Sequence, residues 1–157
     1  MKEKFLRLLA IAVKWRCIYI WGAQGEKVAN MTDEDIIHKE QSLDDAYRVI
    51  KLIKCLKELK LFNNKCRAFD CSGLICYCLV KCGREKAGFD MTADNLYNRY
   101  PKVASLREGV LLHRKGHIAV YVGNSHLIEA KGRDYGVVIS PYRASEWDAK
   151  FADPWAV

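Results

Sequence analysis

The sequence lacks the features that would assign it quickly to a common class of small proteins. It contains seven cysteines, an odd number, and no two of them stand three positions apart. The spacings of a thioredoxin-like redox pair and of a paired zinc knuckle are therefore absent, and reduced thiols made in a cytosol fit best. No segment is repetitive or biased, which argues against collagen-like, solenoid and disordered chains. With 157 residues, half of them apolar, the chain is predicted to form a single domain over residues 1–157.

The first residues also lack the features of a secretion signal. The stretch 1–17 is basic and then apolar, but Arg7 interrupts its apolar part, and Lys14, Trp15 and Arg16 stand where a small-residue cleavage site would lie. A membrane span would need about 18 uninterrupted apolar residues. We therefore predict a core helix here, no membrane span, and synthesis in the cytoplasm without a visible signal peptide.

The formal net charge of +7 raises the question of nucleic acid. No helix-turn-helix, zinc finger or aromatic-basic platform accompanies the charge, and the basic residues are scattered. The sequence therefore favours a solvated basic surface and no nucleic-acid partner. Attraction to an anionic polymer such as cell wall is the second interpretation.

Residues 32–64 are predicted to form two helices. Thr32 and Ser42 are hydroxyl caps, and each is followed three positions later by an acidic residue. The second helix carries an apolar stripe, comprising Leu43, Ala46, Tyr47, Ile50, Ile53 and Leu56. The segment has six basic and seven acidic side chains, so the basic excess lies elsewhere. Because it is too short for a core of its own, we predict a helical insert rather than a second domain.

Four of the cysteines lie in one stretch, "FDCSGLICYCLVKCG", residues 69–83. Asp70 is a suitable N-cap for a helix and Gly83 a suitable stop. The apolar stripe of this helix comprises Leu74, Ile75, Cys78, Leu79 and Cys82, and the same period leads back to Cys71. Cys71 is thus expected in the first turn, facing a cleft between the helix and its packing partner. Cys76 lies off the stripe.

The second half of the chain changes from helical to strand patterns. Thr92 is predicted to cap a short helix over 92–99, and four runs rich in Val and Ile follow: "GVLLHR", "HIAVYVG", "SHLIEAKG" and "GVVISP". We predict an antiparallel meander of about four strands. Helices first and strands afterwards is an α+β order.

Cys71 is the candidate nucleophile. At the positive end of a helix the pKa of a thiol falls from about 8.5 toward about 3.5–7.5 when an imidazole is close. His117 is the candidate partner, because it opens the strongest strand and alternates with Ala119 and Tyr121 on a face that we expect a helix to cover. The other histidines lie in the helical segment or at strand edges: His38, His113 and His126.

A third group should orient the histidine. If the loop around "GNS" has an odd number of residues, Glu129 lies on the face of His117, whereas an even loop brings Ile128 or Ala130 there. Glu129 is an acidic residue in an otherwise apolar strand, which is costly unless it is paired. The alternative for these residues is structural: a packed thiol, a satisfied core histidine and an edge-strand glutamate.

Three separated blocks then resemble those of one family, the NlpC-type papain-like cysteine peptidases of bacterial cell walls. "YIWGA" at 19–23 resembles its Tyr-x-Tyr/Trp-Gly-Gly motif, and "DCSGLI" at 70–75 resembles its nucleophile motif. "GHIAVYVGNSHLIEAKG" at 116–132 resembles its histidine strand pair. The blocks occur in the family's order, which makes the combination specific.

The resemblance implies a papain-like α+β core, in which the nucleophile helix packs on an antiparallel sheet of four or more strands. By position it makes Cys71 the nucleophile, His117 the general base and Glu129 the third polar residue. It places Tyr19 near the oxyanion, and Asp70 and Ser72 flank the nucleophile in its motif.

The activity that the resemblance implies is hydrolysis of amide bonds in peptidoglycan stem peptides through a thioester, commonly after D-glutamate. No metal or cofactor is expected, the partner is the stem peptide, and the default oligomeric state is a monomer. Without a visible signal, action on the wall would follow phage lysis or delivery, so a phage or prophage lysis protein is the preferred context.

The sequence departs from the family pattern at three places. Tyr19 and Cys71 are 52 positions apart where a short loop is usual, Ala119 replaces a glycine, and Val110 replaces a common aspartate. Two rival interpretations follow: a non-catalytic wall-binding module on the same fold, or a structural zinc site. The zinc site would use Cys78 and Cys82, one helical turn apart, with Cys66 and a histidine.

Overall fold

A computed structural model describes residues 1–156 of the chain. Its helices are α1 (Lys2–Lys14), α2 (Asp33–Lys39), α3 (Leu43–Glu58), α4 (Cys71–Lys81) and α5 (Ala93–Arg99). Its strands are β1 (Ile18–Tyr19), β2 (Gln24–Lys27), β3 (Arg67–Phe69), β4 (Lys102–Val103), β5 (Leu111–Arg114), β6 (His117–Gly123), β7 (His126–Ala130), β8 (Val137–Pro141) and β9 (Phe151–Ala152). Two short 3₁₀ turns lie at Val28–Asn30 and Ala144–Glu146. None of these helices is long and apolar enough to cross a membrane.

The predicted antiparallel meander is present as the centre of a six-stranded sheet. The strand order is β4-β9-β5-β6-β7-β8, and every neighbouring pair is antiparallel. A second, three-stranded sheet has the order β1-β3-β2. The α+β class is therefore confirmed.

Helix α4 occupies the centre of the main core. Leu74, Ile75 and Leu79 pack with Ile118 and Val120 of β6 in one cluster of buried residues. That cluster also holds Phe5 and Leu9 of α1, which confirms the predicted N-terminal core helix. Helices α1 and α4 thus pack together on one face of the six-stranded sheet.

Helices α2 and α3 form where the caps predict them, but the buried stripe of α3 is different. Thr32 makes a full capping box with Asp35, and Ser42 caps α3. The structure buries Ala46, Val49 and Ile53, whereas Leu43 and Tyr47 of the predicted stripe are both 56 % exposed. The reason is that α3 packs on Ile18, Ile20 and Ala68 of the small sheet, together with Ile36, through a narrow face.

Candidate active site

Asp70 joins the start of α4 to the loop that follows β1. One carboxylate oxygen accepts a hydrogen bond from the Gly73 NH at 2.7 Å, as expected of an N-cap, and the other accepts from the Gly22 NH at 3.0 Å. The Ser72 hydroxyl lies 3.4 Å from the first oxygen. Burial raises the pKa of Asp70. Asp70 thus caps α4 and also links the 70–75 block to the 19–23 block.

Gly73 permits the loop after β1 to approach the helix closely. A Cβ at this position would lie 2.1 Å from the carbonyl oxygen of Ala23. The same carbonyl accepts a hydrogen bond from the Asp70 NH at 3.0 Å. The glycine of the nucleophile motif is therefore required by backbone packing.

Cys71 is the first residue of α4, and its half-buried thiol lies against the turn before β6. The thiol donates to the Gly116 carbonyl oxygen at 3.9 Å, and the Ile118 backbone NH also interacts with the sulfur. These two contacts bracket His117 in the chain. Burial raises the pKa of the Cys71 thiol, and the negative charge of Asp70 acts in the same direction.

The expected lowering of that pKa is therefore wrong for this arrangement. Backbone NH groups at the helix start do lower the pKa of Cys71, but burial and Asp70 outweigh them. The missing contribution is the imidazole, since the structure contains no hydrogen bond between the side chains of Cys71 and His117 within residues 1–156.

His117 opens β6 with its ring on the face opposite α4. Ala119 and Tyr121, which share its face, pack with Trp147 and Phe151 in a separate cluster. The expectation that a helix covers this face is wrong: α4 covers the Ile118 face, and the 142–152 region covers the histidine face. The His117 ring lies nearly parallel to that of Trp147, at 5.7 Å between centroids and 30° between planes.

Glu129 lies on the same face as His117. Tyr121 pairs with Leu127 and Val120 with Ile128, so odd positions of β6 face odd positions of β7. The Glu129 Oε2 is 3.8 Å from the His117 Nε2, which is an ion-pair distance but too long for a hydrogen bond. Glu129 is 4 % exposed, and the His117 Nε2 is enclosed and has no hydrogen-bond partner among residues 1–156. The buried Glu129 carboxylate thus lies beside a buried ring nitrogen of His117 that lacks a hydrogen bond within the part of the chain that the structure describes.

Tyr19 ends β1 beside Cys71, the candidate nucleophile. Burial raises the pKa of its phenol, and the nearby Cys71 and Asp70 act in the same direction, so the hydroxyl keeps its proton. The guanidinium of Arg133 lies over the ring at 5.7 Å. Arg133 in turn contacts the Glu40 carboxylate at 2.6 and 2.8 Å, and Glu40 accepts from the Trp21 NH.

The candidate residues open into two different cavities. The first has a volume of about 200 Å³, and its lining includes Tyr19, Asp70, Cys71, Ser72 and Gly116. The second, of about 590 Å³, includes Glu129 with Arg114, Lys131 and Arg143. The backbone of residues 116–118 lies between the thiol and the carboxylate, and the His117 ring is on the side of the carboxylate.

The cysteines proposed as zinc ligands are not brought together. Cys78 and Cys82 are buried in the cluster around α4, whereas Cys66 belongs to the cluster of the small sheet. Cys82 donates to the Leu79 carbonyl and Cys66 to the Arg16 carbonyl. Across residues 1–156, no group of three or more His, Cys, Asp or Glu side chains is arranged to hold a metal ion.

Several residues beside the site gave no signal in the sequence. Asp94 lines the cavity of Cys71, Trp147 stacks on His117, and Arg133 covers Tyr19. His113, interpreted as a strand-edge residue, is buried between two carboxylates. Their partners are far away in the chain, so neither spacing nor periodicity indicates them.

A cysteine at the start of a core helix, against the histidine strand of an antiparallel sheet, defines the papain-like class. A family model described as the NlpC/P60 family matches residues 60–156, which is more than half of the chain and includes Cys71, His117 and Glu129. The chain belongs to the NlpC/P60 family. A search of curated protein sequences found no match.

Solved structures with this fold come from mycobacteria among other sources. The P60 domain of an antigen from M. avium subspecies paratuberculosis superposes with a TM-score of 0.60 at 18 % identity, covering 99 % of this chain and 98 % of that one. The peptidoglycan hydrolase RipB of Mycobacterium tuberculosis gives 0.58 at 18 %, covering 100 % and 69 %. RipD of the same species, described as a non-catalytic domain adapted to peptidoglycan binding, gives 0.57 at 18 %, covering 94 % and 95 %.

Proposed function

We propose that this protein is a cysteine peptidase that hydrolyses amide bonds in peptidoglycan stem peptides. The observation that carries the proposal is the placement of the Cys71 thiol against the backbone on both sides of His117, with the Glu129 carboxylate beside the far nitrogen of that histidine. Nucleophile, base and orienting group then follow one another across a single strand.

The proposed reaction proceeds through a thioester. His117 takes the thiol proton, and the Cys71 sulfur attacks the amide carbonyl. The imidazolium gives its proton to the leaving amine as the carbon–nitrogen bond breaks. His117 then takes a proton from water, which attacks the thioester and releases the acid and the thiol. Because Nε2 lies beside Glu129, we assign the proton exchange with the thiol to the other ring nitrogen, Nδ1, which must turn toward Cys71 for this step.

Two donors beside the sulfur are suited to the oxyanion. The Cys71 backbone NH lies at the helix start, and the Tyr19 hydroxyl stays protonated because burial raises its pKa. A donor of this kind contributes about 3 kcal/mol to the transition state in comparable sites. Asp70 and Ser72 line the same cavity and are the candidate substrate contacts.

The finer proposal is a D-glutamyl endopeptidase that reaches the wall after phage lysis or delivery. Its support is the family, whose members commonly cut after D-glutamate. Mass spectrometry of muropeptides after digestion identifies the bond, because each candidate cleavage leaves fragments of different mass.

The test compares the four cysteines of α4. We expect Cys71→Ala to abolish clearing of purified peptidoglycan, whereas Cys76→Ala, Cys78→Ala and Cys82→Ala retain it. The last three thiols are buried in the core, and burial raises the pKa of Cys76 to about 12, so they take no part in nucleophilic attack. Circular dichroism checks that each variant folds. Equal loss in all four variants would refute the nucleophile assignment.

The second candidate function is a non-catalytic wall-binding module. It is favoured by the unmade hydrogen bond of the His117 Nε2 and by the likeness to RipD. This candidate predicts that the unaltered protein binds purified wall without clearing it, and that Cys71→Ala changes neither result.

A further inference from the structure

A second histidine lies beneath the turn that carries His117, and both of its ring nitrogens contact carboxylates. The His113 Nε2 is 2.8 Å from an oxygen of Asp94, and its Nδ1 is 2.6 Å from an oxygen of Asp148. The side chain is 10 % exposed, and its ring stacks on that of Tyr97 at 4.3 Å with 11° between the planes. A histidine so enclosed has fixed partners on both sides.

These contacts determine the charge of the ring. Ionised carboxylates only accept hydrogen bonds, and a neutral imidazole has only one NH to donate. Hydrogen bonds from the Gly116 NH and from His113 lower the pKa of Asp94, so this carboxylate is ionised. A neutral ring would turn a lone pair toward one of the carboxylates at less than 3 Å. Both contacts are satisfied together only by the imidazolium.

The Asp94 oxygen that binds His113 also holds the turn before β6. It accepts a hydrogen bond from the Gly116 NH at 3.0 Å, and the Gly116 carbonyl receives the Cys71 thiol. Gly116 has a φ of +76°, a conformation that other residues adopt at a cost. A continuous series of contacts thus runs from Asp148 through His113, Asp94 and Gly116 to the nucleophile.

We propose that His113, as an imidazolium between Asp94 and Asp148, is a positioning residue that holds the Gly116 turn and thereby the approach of His117 to Cys71. Through its contact with Asp94, His113 fixes the carboxylate oxygen that accepts from the Gly116 NH. The role of the turn in catalysis rests on the proposed function, whereas the charge and the contacts of His113 do not.

The charges around His113 come from several elements. Asp94 and Tyr97 face it from α5, and Asp148 faces it from the segment before β9. Asp148 also faces Tyr97, whose pKa is raised chiefly by burial. Two lysines are next in line: Lys115 acts on Asp94, and Lys102 lies over the Tyr97 ring at 4.4 Å. Of these groups, only the two carboxylates are in hydrogen-bond contact with the ring nitrogens.

The first experiment is NMR of the unaltered protein labelled with ¹⁵N. We expect both ring nitrogens of His113 to show imidazolium shifts at about pH 6, and the Gly116 amide signal to move with the His113 ring as the pH is raised. A His113 ring with one unprotonated nitrogen at that pH overturns the proposal. A Gly116 amide signal that does not change when the His113 signals change also overturns the proposal.

The second experiment measures alkylation of Cys71 by iodoacetamide, read by peptide mass spectrometry, with the exposed Cys55 as internal reference. We expect His113→Phe, which keeps the stacking volume, to lower the ratio of Cys71 to Cys55 alkylation about tenfold at about pH 7, the size of effect that a displaced reacting group produces. His126→Phe is the matched control and should stay within about twofold, because His126 is exposed and its ring hydrogen-bonds the Asn124 carbonyl of its own turn.

Asp94→Asn is the companion variant in case His113→Phe fails to fold. It keeps an acceptor for the Gly116 NH but replaces the carboxylate that faces the His113 Nε2, so the ratio of Cys71 to Cys55 alkylation should fall as in His113→Phe. An unchanged alkylation ratio in a folded Asp94→Asn or in a folded His113→Phe overturns the proposal. None of these measurements requires hydrolysis, so a protein that fails to cleave peptidoglycan but passes them refutes only the proposed function.

Discussion

At the scale of single residues, the seven cysteines have different roles because of where they lie. Only Cys71 combines a helix start, a cavity and the backbone of the histidine strand. Asp70 before it and Gly73 after it are local signals, so the position of Cys71 at the helix start could be predicted from the sequence. Cys76 was predicted to lie off the buried stripe, yet it is 1 % exposed, because α4 is enclosed by α1, by the sheet and by the chain near Met91.

Two thiols outside α4 lie at the start of paired strands. Cys17 directly precedes β1, and Cys66 directly precedes β3, its parallel partner. Interaction between the two side chains lowers the pKa of the Cys17 thiol and raises that of the Cys66 thiol. These residues are 49 positions apart, so cysteine spacing did not indicate the pair.

Glu129 is the residue whose role is tested most directly by substitution. We expect Glu129→Gln to lower the hydrolysis rate about tenfold to a hundredfold, since an amide orients the ring without balancing its charge. Alkylation of Cys71 should be preserved, because the thiol contacts Gly116 on the other side of the strand. The measurement is the rate of peptidoglycan clearing beside the alkylation rate.

Glu146→Gln is the control for this variant, because Glu146 lines the same cavity but lies apart from the histidine. An unchanged rate in Glu129→Gln would identify His126 or another group as the partner of His117. The present contacts of His126, which is exposed and bonded to its own turn, argue against that outcome.

At the scale of elements, boundaries followed from the sequence where a cap determined them. Thr32, Ser42, Asp70 and Thr92 each accept a hydrogen bond from the NH of the residue three positions on, at the helix start that was predicted. Gly83 follows α4 with a φ of +84°. These signals are local, so tertiary structure does not override them.

The orientation of an element depends on what covers it, and this could not be predicted. The face of β6 that meets α4 was assigned wrongly because both faces of the strand are apolar and both are covered, one by α4 and one by Trp147 and Phe151. The strands β4 and β9 were missed for a different reason. Each has two residues, too few to show an alternation.

The 32–64 segment is joined to the site through the buried carboxylate of Glu40, which follows α2. Removing its partner by Arg133→Met should leave that charge unpaired and lower the free energy of unfolding by about 2 to 3 kcal/mol, somewhat less than for a fully enclosed pair because Arg133 is 17 % exposed. The double variant with Glu40→Gln should recover part of the loss. Urea denaturation measures both.

Arg48→Met is the matched control for these variants, because it breaks an exposed ion pair between the same helical segment and Asp134, the residue after Arg133. We expect no measurable change of the unfolding midpoint. An equal loss in Arg48→Met and Arg133→Met would show that the burial of Glu40 contributes nothing special, and that the segment is held by its apolar contacts with the small sheet alone.

At the scale of the whole molecule, charge is distributed unevenly along the chain. The 32–64 segment carries six basic and seven acidic side chains, a net charge of −1. Since the whole chain has a net charge of +7, the residues outside this segment carry a net charge of +8. Three basic residues, Arg114, Lys131 and Arg143, line the cavity of Glu129. The basic excess is shared by the two stretches that flank this segment, with a net of +4 in residues 1–31 and a net of +4 in residues 65–157.

This distribution predicts how binding to the wall responds to salt. Peptidoglycan that retains its anionic polymers should bind the protein through long-range attraction, which is screened within about 10 Å at 0.1 M salt and about 3 Å at 1 M. We expect sedimentation of the Cys71→Ala variant with such walls to fall about tenfold or more over that range, and to be weak at all salt concentrations on walls stripped of anionic polymer. The variant keeps the net charge and avoids digestion of the wall during the assay. Binding that is equally strong on both walls and independent of salt would contradict this prediction. It would mean that the protein recognises only the stem peptide, in the cavities around Cys71 and Glu129, and that the basic surface takes no part in binding.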